Sequence, residues 1–333
     1  MTDQSKIDRK GARPASLFER AEMTFGLGPA RTPSVPPVAE PRRRPAAPAE
    51  TPAPVEAAVP APVPAPVAAP APAPAPAAPV EPPKPVPVAV AFSGPKVSID
   101  RDLMRANGLI VPEDPVTGQL EEFRIVKREL LAEARAVDSA LARRILVCSP
   151  HPGEGKTFCA TNLAIALAVE RRLEVLLVDA DVVKPAAAER LGITATAGLM
   201  DTLADPAIAP ESLVIATDIP GLFVLPAGTP SVRDSEYLAS TRTREVLDRL
   251  TEGAPDRIVI FDTPPALAAS AAAELAAHVG QAVLVVRADE TSRAALDDAR
   301  QLLSACADIK LLLNAARYSP SGRHFGTYGA GWG

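Results

Sequence analysis

Residues 144–168 read RILVCSPHPGEGKTFCATNLAIALA, and the fold turns on that stretch. RILVCS (144–149) is a continuous apolar run, as expected of a strand covered on both faces. After the loop PHPGEG, KTFCATNLAIALA has the composition of a buried helix opening at Lys156. Glycines between a buried strand and a helix N-terminus let backbone N–H groups turn inward, at the positive end of the helix dipole. In GEGKT, Gly153 to Thr157, such a nest would cradle phosphate oxygens. Lys156 would reach the β- and γ-phosphates, and the Thr157 hydroxyl would bind Mg²⁺. The strict spacing GxxxxGK[ST] is not met, because Pro150 stands where the first glycine belongs. The stretch predicts an ATP site with Mg²⁺ and one irregularity.

Outward from this unit, strand-like and helix-like segments alternate. Upstream, Gln119–Ala136 predicts a helix with Leu120, Phe123, Val126, Leu130 and Leu131 on one face. Downstream, the helix from Lys156 runs to about Glu170 and leads into the strand EVLLVD (174–179). Further strands are LFVLPAG (222–228), RIVIFD (257–262), QAVLVVRA (281–288) and IKLLLN (309–314), with helices near Ser235–Thr251, Ala268–Ala277 and Arg293–Ala305. Continuous apolar strands alternating with helices predict an α/β fold: a doubly wound, mainly parallel sheet of P-loop NTPase type. One domain, about 97–319, accommodates all of it.

An open α/β sheet binds its ligand at the C-terminal ends of its strands, and two strands here end in carboxylates. RIVIFD delivers Asp262, followed by TPP, and reads as the Walker B strand beside the metal. EVLLVDADVVKP delivers Asp179 and Asp181, two residues apart and on one side if the strand continues. Phosphoryl transfer asks for metal and a positioned nucleophile rather than covalent chemistry, and these three carboxylates with Lys156 are the candidate catalytic set.

The rest of the chain differs in kind. Of 333 residues 38 are proline and only 4% aromatic, so a good part of the length cannot build a core. The prolines concentrate in about 29–96, a Pro/Ala-rich tether that proline keeps from becoming helix. In polyproline II, at about 3.1 Å per residue, it would reach on the order of 200 Å. It reads as a spacer, with docking of a proline-recognition module as the alternative. Within 1–28, Ala15–Leu27 has Leu17, Phe18, Ala21 and Phe25 at helical spacing, which suits a short docking helix. Arg42–Arg44 reads as a solvated charge run. A net charge of −5 argues against nucleic acid as a partner. Cys148, Cys159 and Cys306 have neither metal-ligand nor disulfide-framework spacing. With no apolar run of about eighteen residues and no secretory signal at the start, the expected location is cytoplasmic.

With these residues identified, the sequence resembles the bacterial tyrosine kinases, the P-loop autokinases of exopolysaccharide loci, and in particular those beside exosortase-linked polysaccharide genes. The likeness covers about 97–317. SPHPGEGKTFCATNLAIALA resembles the family's Walker A region, LLVDADVVKP its Walker A′ motif and IVIFDTPP its Walker B; PGLFVLPAGTP, SEYLAS and LVVRADET follow its later segments. The resemblance implies that Gly153, Glu154, Gly155, Lys156, Thr157 and Phe158 hold the nucleotide. It also implies that Thr157, Asp179 and Asp262 form the metal shell, that Asp181 helps deprotonate the incoming tyrosine, and that Asn314 contacts the adenine. EEFRIVKRELL resembles the helix that packs neighbouring subunits in a ring, which makes Glu121, Arg124 and Lys127 candidate contacts of a homo-oligomer. Lysine there replaces the family's last arginine and loses its bidentate fork. Val183 stands where the family often has arginine.

The family phosphorylates a C-terminal tyrosine cluster, whereas the tail here, RYSPSGRHFGTYGAGWG, offers only Tyr328 and Tyr318; His324, Phe325 and Trp332 stand where tyrosines might be expected. By resemblance the chain is a protein-tyrosine autokinase regulating exopolysaccharide polymerisation and export. Its activator would be a membrane polysaccharide co-polymerase, a Wzz-like chain-length protein that recruits it to the inner face of the plasma membrane. Two other readings stand beside this one. A non-phosphorylating ATP switch would explain the depleted tail. A partition or division-site positioning ATPase would need a signature lysine where His151 stands, and a largely neutral histidine is a poor substitute for it.

Overall fold

A computed structural model describes residues 88–316. The tail tyrosines, the docking-helix segment 15–27 and most of the tether lie outside the described residues. In chain order the elements are β1 (Lys96–Val97), α1 (Arg101–Ala106), α2 (Gly118–Val137), β2 (Arg144–Cys148), α3 (Lys156–Ala168) and β3 (Glu174–Asp179). Next come α4 (Ala187–Arg190), α5 (Leu199–Ala204), α6 (Pro210–Leu213), β4 (Ile215–Thr217), β5 (Leu222–Leu225), α7 (Asp234–Leu238) and α8 (Thr241–Thr251). The series closes with β6 (Arg257–Asp262), α9 (Ala271–Ala276), β7 (Gln281–Arg287), α10 (Arg293–Leu302) and β8 (Asp308–Asn314).

The eight strands form one sheet in the order β1-β4-β5-β3-β6-β2-β7-β8, parallel throughout except between β4 and β5. Strand side chains alternate between two cores. Ile145 and Val147 of β2, Val175 and Leu177 of β3, and Ile258 and Ile260 of β6 point into the core beneath α1, α2 and α3. Leu146 and Cys148, Leu176 and Val178, Val259 and Phe261 point into the opposite core beneath α5, α7, α8, α9 and α10. Burial on both faces is why these strands read as unbroken apolar runs.

Several expectations are corrected in detail. The helix near Ser235–Thr251 is two helices, α7 and α8, with Ala239–Ser240 between them; the extended backbone of Ser240 starts α8. LFVLPAG is strand only to Leu225, and the helix from Lys156 ends at Ala168. β1, β4 and helices α1, α4, α5 and α6 lay within stretches that show no periodicity, because each is two to six residues long.

The tether's composition runs to about residue 96, but its last part is folded onto the domain. Phe92 packs edge-on against Phe223 with ring centroids 4.9 Å apart, and the Arg257 guanidinium lies 4.0 Å over the Phe92 ring. Arg257 also donates to the Val90 carbonyl at 2.9 Å, and β1 then adds an edge strand beside β4.

α2 places one of the candidate oligomer contacts where its charge alone does not suggest. Its buried residues are Phe123, Lys127, Leu130, Leu131 and Ala134, so Lys127 lies on the core-facing stripe. Its Nζ donates to the Ala166 carbonyl at 2.9 Å and pairs with Glu170 at 2.6 Å, serving the C-terminal end of α3, where a cation is favourable. Lys127 is thus spent inside one protomer, whereas Glu121 and Arg124 pair with each other on the half-exposed face.

Candidate active site

β2 ends at Cys148 and α3 begins at Lys156, so the loop between them stands at the C-terminal edge of the sheet, with β6 on one side and β7 on the other. Gly153 and Gly155 have φ of +84° and +98°, the left-handed region that glycine enters without penalty. A Cβ on Gly155 would also stand 2.1 Å from the amide nitrogen of Asn314. Pro150 is not among the positive-φ residues, which explains how proline replaces the usual glycine there. Gly155 caps α3 without any side-chain bond, leaving the first N–H groups of the helix available to an anion.

The loop is braced by its own residues. The buried Glu154 carboxylate accepts from the His151 backbone N–H at 2.7 Å and from the Thr291 hydroxyl. Ser149 Oγ donates to the His151 carbonyl at 2.8 Å. The Asn314 amide donates to the Glu154 carbonyl at 2.8 Å, so Asn314 lies against the loop from the β8 side. Glu154 acts through its side chain as a staple of the loop, and Thr291 is a partner the motif did not reveal.

Lys156 Nζ pairs with Asp181 at 2.7 Å and lies 3.4 Å from the Thr157 hydroxyl. Asp179 and Asp262 are register partners on β3 and β6, both fully buried. Asp179 accepts three backbone N–H groups, from Asp181 at 3.2 Å, Ala186 at 2.9 Å and Ala187 at 2.9 Å, which shape the turn into α4. Burial pushes its carboxyl up to about 6, against the pull of those N–H groups. Neither carboxylate oxygen of Asp262 has a hydrogen-bond partner. Burial pushes Asp262 up to about 7; the charge of Lys156 and the nearby Thr157 hydroxyl oppose the shift, while Asp179 and Asp181 add to it.

A cavity of about 390 Å³ opens here. The loop and first turn of α3 form one wall, including Phe158; Asp181, Lys184 and Arg190 form another, and Pro264, Pro265 and Ala268 a third. The donor set fits Mg²⁺. An unpartnered buried carboxylate and a hydroxyl are hard oxygen donors, and Mg²⁺ typically takes one or two carboxylates plus substrate phosphates rather than an all-protein cage. Among the described residues no group of three or more His, Cys, Asp or Glu side chains could form such a cage.

Residues 142–316 match the family model described as an AAA domain. Tyrosine-protein kinase YwqD of Bacillus subtilis is 30% identical over 223 residues, which cover 66% of this chain and 91% of that protein. EpsB of Ralstonia nicotianae is 32% identical over 226 residues, 67% of this chain, but the chain spans only 28% of its length. Among solved structures, the BceF tyrosine kinase domain aligns with a TM-score of 0.50 at 27% identity, over 58% of this chain and 76% of that one. Nearly the full length of one bacterial tyrosine kinase is thus matched here, on an AAA-type P-loop domain, and the chain belongs to the bacterial tyrosine-protein kinase family.

Proposed function

We propose that the chain is an ATP-dependent protein-tyrosine autokinase acting in exopolysaccharide polymerisation and export. The observation that carries the reading is Asp262, a buried carboxylate with two unpartnered oxygens facing a phosphate loop whose lysine is already paired to a second carboxylate. Asp262 and Thr157 would hold Mg²⁺, which supplies positive charge to the phosphate chain when bound. Gly153, Gly155 and the N–H groups opening α3 cradle the phosphates. Lys156, drawn to the phosphate chain, leaves Asp181 free to accept the proton of the tyrosine hydroxyl. Asp179 holds the segment that carries Asp181, and in this reading it shapes the metal site without being its ligand.

Tyr328 and Tyr318 are the acceptors within the chain. Glu121 and Arg124 carry a ring-type contact between copies, without Lys127. The activator is a Wzz-like membrane co-polymerase reached through residues 15–27. Consistent with recruitment by a partner, no helix among the described residues is long and apolar enough to cross a membrane.

Incubation of the purified chain with Mg·ATP, followed by phosphosite mapping on wild type and Lys156→Met, tests the reading. Label on Tyr328 or Tyr318 in wild type alone is expected. ATP hydrolysis without phosphotyrosine would end the kinase reading and favour the non-phosphorylating switch.

A further inference from the structure

Two cations line the cavity and carry no obvious structural duty. Lys184 and Arg190 both face it, and neither forms an ion pair among the described residues. Lys184 is exposed, but Arg190 is half-buried, and its Nε is fully enclosed without a hydrogen-bond partner. Enclosing a guanidinium nitrogen unpaired is costly, and an anion held in the cavity beside this guanidinium would offset that cost through its charge.

The backbone around Arg190 is firmly held. Asn107 donates to the Arg190 carbonyl at 3.0 Å, and the next residue, Leu191, is fully buried. At the other end of α4, Asp179 accepts the Ala186 and Ala187 N–H groups. The backbone that carries Arg190 is therefore already ordered, and only side-chain entropy remains to be lost on binding.

Sheet order says which end of a nucleotide Arg190 would meet. β8, bearing Asn314, lies beyond β7 on one side of the phosphate loop; β3, with the segment 181–190 that follows it, lies beyond β6 on the other. The head of Lys156, which serves the outer phosphates, reaches to the β3 side at Asp181. A terminal phosphate met by Lys156 would therefore lie toward the segment that carries Arg190.

Building on the reading of this cavity as an ATP site, we propose that Arg190 contacts the terminal phosphoryl group of bound ATP, as a guanidinium supplied by the same chain. A planar fork suits phosphate oxygens, and positive charge there favours the charge distribution of a transferring phosphoryl group.

The test compares dissociation constants of the full chain for Mg·AMPPNP and Mg·ADP by calorimetry, in wild type, Arg190→Ala and Arg190→Lys. Arg190→Ala should weaken AMPPNP about tenfold or more while ADP stays within about twofold, erasing most of the discrimination between them. Arg190→Lys should retain part of it, since charge remains but the fork does not. Free guanidinium ion at millimolar concentration should restore AMPPNP affinity to Arg190→Ala, which a purely structural role would not allow. Circular dichroism melting of each variant establishes that the fold survives.

Equal weakening of AMPPNP and ADP, no change in either, or an effect confined to the KM of a tyrosine acceptor would each overturn the proposal. Because the readout is nucleotide discrimination, a wild type that binds ATP yet phosphorylates no tyrosine ends the kinase reading and leaves this inference intact.

Discussion

Asp179 and Asp262 stand side by side at the ends of β3 and β6, in register on one ladder and equally buried. One carboxylate is nearly saturated, with three backbone N–H groups accepted among about four lone-pair sites. The other has no donor at hydrogen-bonding geometry, and only the Thr157 hydroxyl is near enough to favour its charge. A buried carboxylate left unpaired is costly, and two such neighbours differ in this way only if they answer to different demands. Asp179 answers to the chain, because the turn carrying Asp181 and Arg190 hangs on it. On the function proposed above, Asp262 answers to a cation from outside the chain. Chemical identity and strand position are the same, and the neighbours' N–H groups separate architecture from function.

Asp262→Asn gives the largest expected effect. Losing the negative oxygen toward Mg²⁺ should lower kcat by roughly a thousandfold, about 4 kcal/mol of transition-state stabilisation. The metal-free fold should become more stable at neutral pH, since a buried charge is gone. The pH dependence has a definite sign. In the folded state Asp262 is raised from 3.8 to about 7, so folded protein holds the proton more tightly than unfolded protein does. Stability from this group is fully present below about pH 4, falls as pH rises, and is gone above about pH 7. The melting temperatures of variant and wild type without metal should therefore coincide near pH 4 and separate by pH 8. A variant less stable than wild type at pH 8 would mean that Asp262 has a structural partner after all.

Asp179→Ala should reverse the balance, with stability suffering first. Three backbone N–H groups lose their acceptor, at about 1 kcal/mol each, a loss best read near pH 5, because above about pH 6 removal of the buried charge offsets part of it. A domain of this size should then melt on the order of 10 °C lower. Activity should fall as well, because Asp181 and Arg190 lose their support, and thermal melting beside kcat separates the two losses. If Asp179→Ala melted like wild type while losing all Mg²⁺ dependence, the roles of the two carboxylates would be exchanged. A smaller effect is expected from Thr291→Val, which takes the hydroxyl away from Glu154. A staple of about 1 kcal/mol should cost roughly fivefold in ATP affinity, read by calorimetry, with melting nearly unchanged.

Much of this was legible in the sequence, for physical reasons that also mark where legibility ends. β2, β3, β6 and β7 are covered on both faces, so their apolar runs are continuous and unmistakable. GEGKT is read from chemistry that only glycines, a lysine and a hydroxyl can perform together. The in-chain partners of Lys127 were not legible because its charge outweighed its spacing: four residues after Phe123 and three before Leu130, it belongs to the buried stripe. Phe92 was hidden in proline-rich composition, although an aromatic residue there is itself a sign of packing. The division of labour between Asp179 and Asp262 left no mark, since both end an apolar strand and only tertiary hydrogen bonds distinguish them. Arg190 was invisible for the same reason. Its proposed role rests on a guanidinium brought beside a cavity by the fold, and residues 186–213 form helices too short to show a period.

Asp218 supplies a third carboxylate, at the far edge of the sheet, where the pH effect should have the opposite sign and the smallest size. It accepts from Ser98 Oγ at 2.7 Å, from the Ile99 N–H at 3.0 Å and from Arg101 at 3.0 Å, tying the segment after β1 to the turn between β4 and β5. Burial opposes its ionisation, but these donors outweigh it and hold Asp218 down to about 2 from 3.8. Here the unfolded state binds the proton more tightly. The stabilisation is present above about pH 4 and is lost as pH falls toward 2. Because Asp218 is close to solvent, screening keeps the contribution small, and detachment should stay local. Amide hydrogen exchange at Lys96–Ile99 should quicken between about pH 4 and 2 beyond the intrinsic trend, while β2 and β6 stay protected. Asp218→Asn should show the faster exchange already at pH 7. Uniform loss of protection across the sheet would mean that the N-terminal strap is part of the core instead of a tie at its edge.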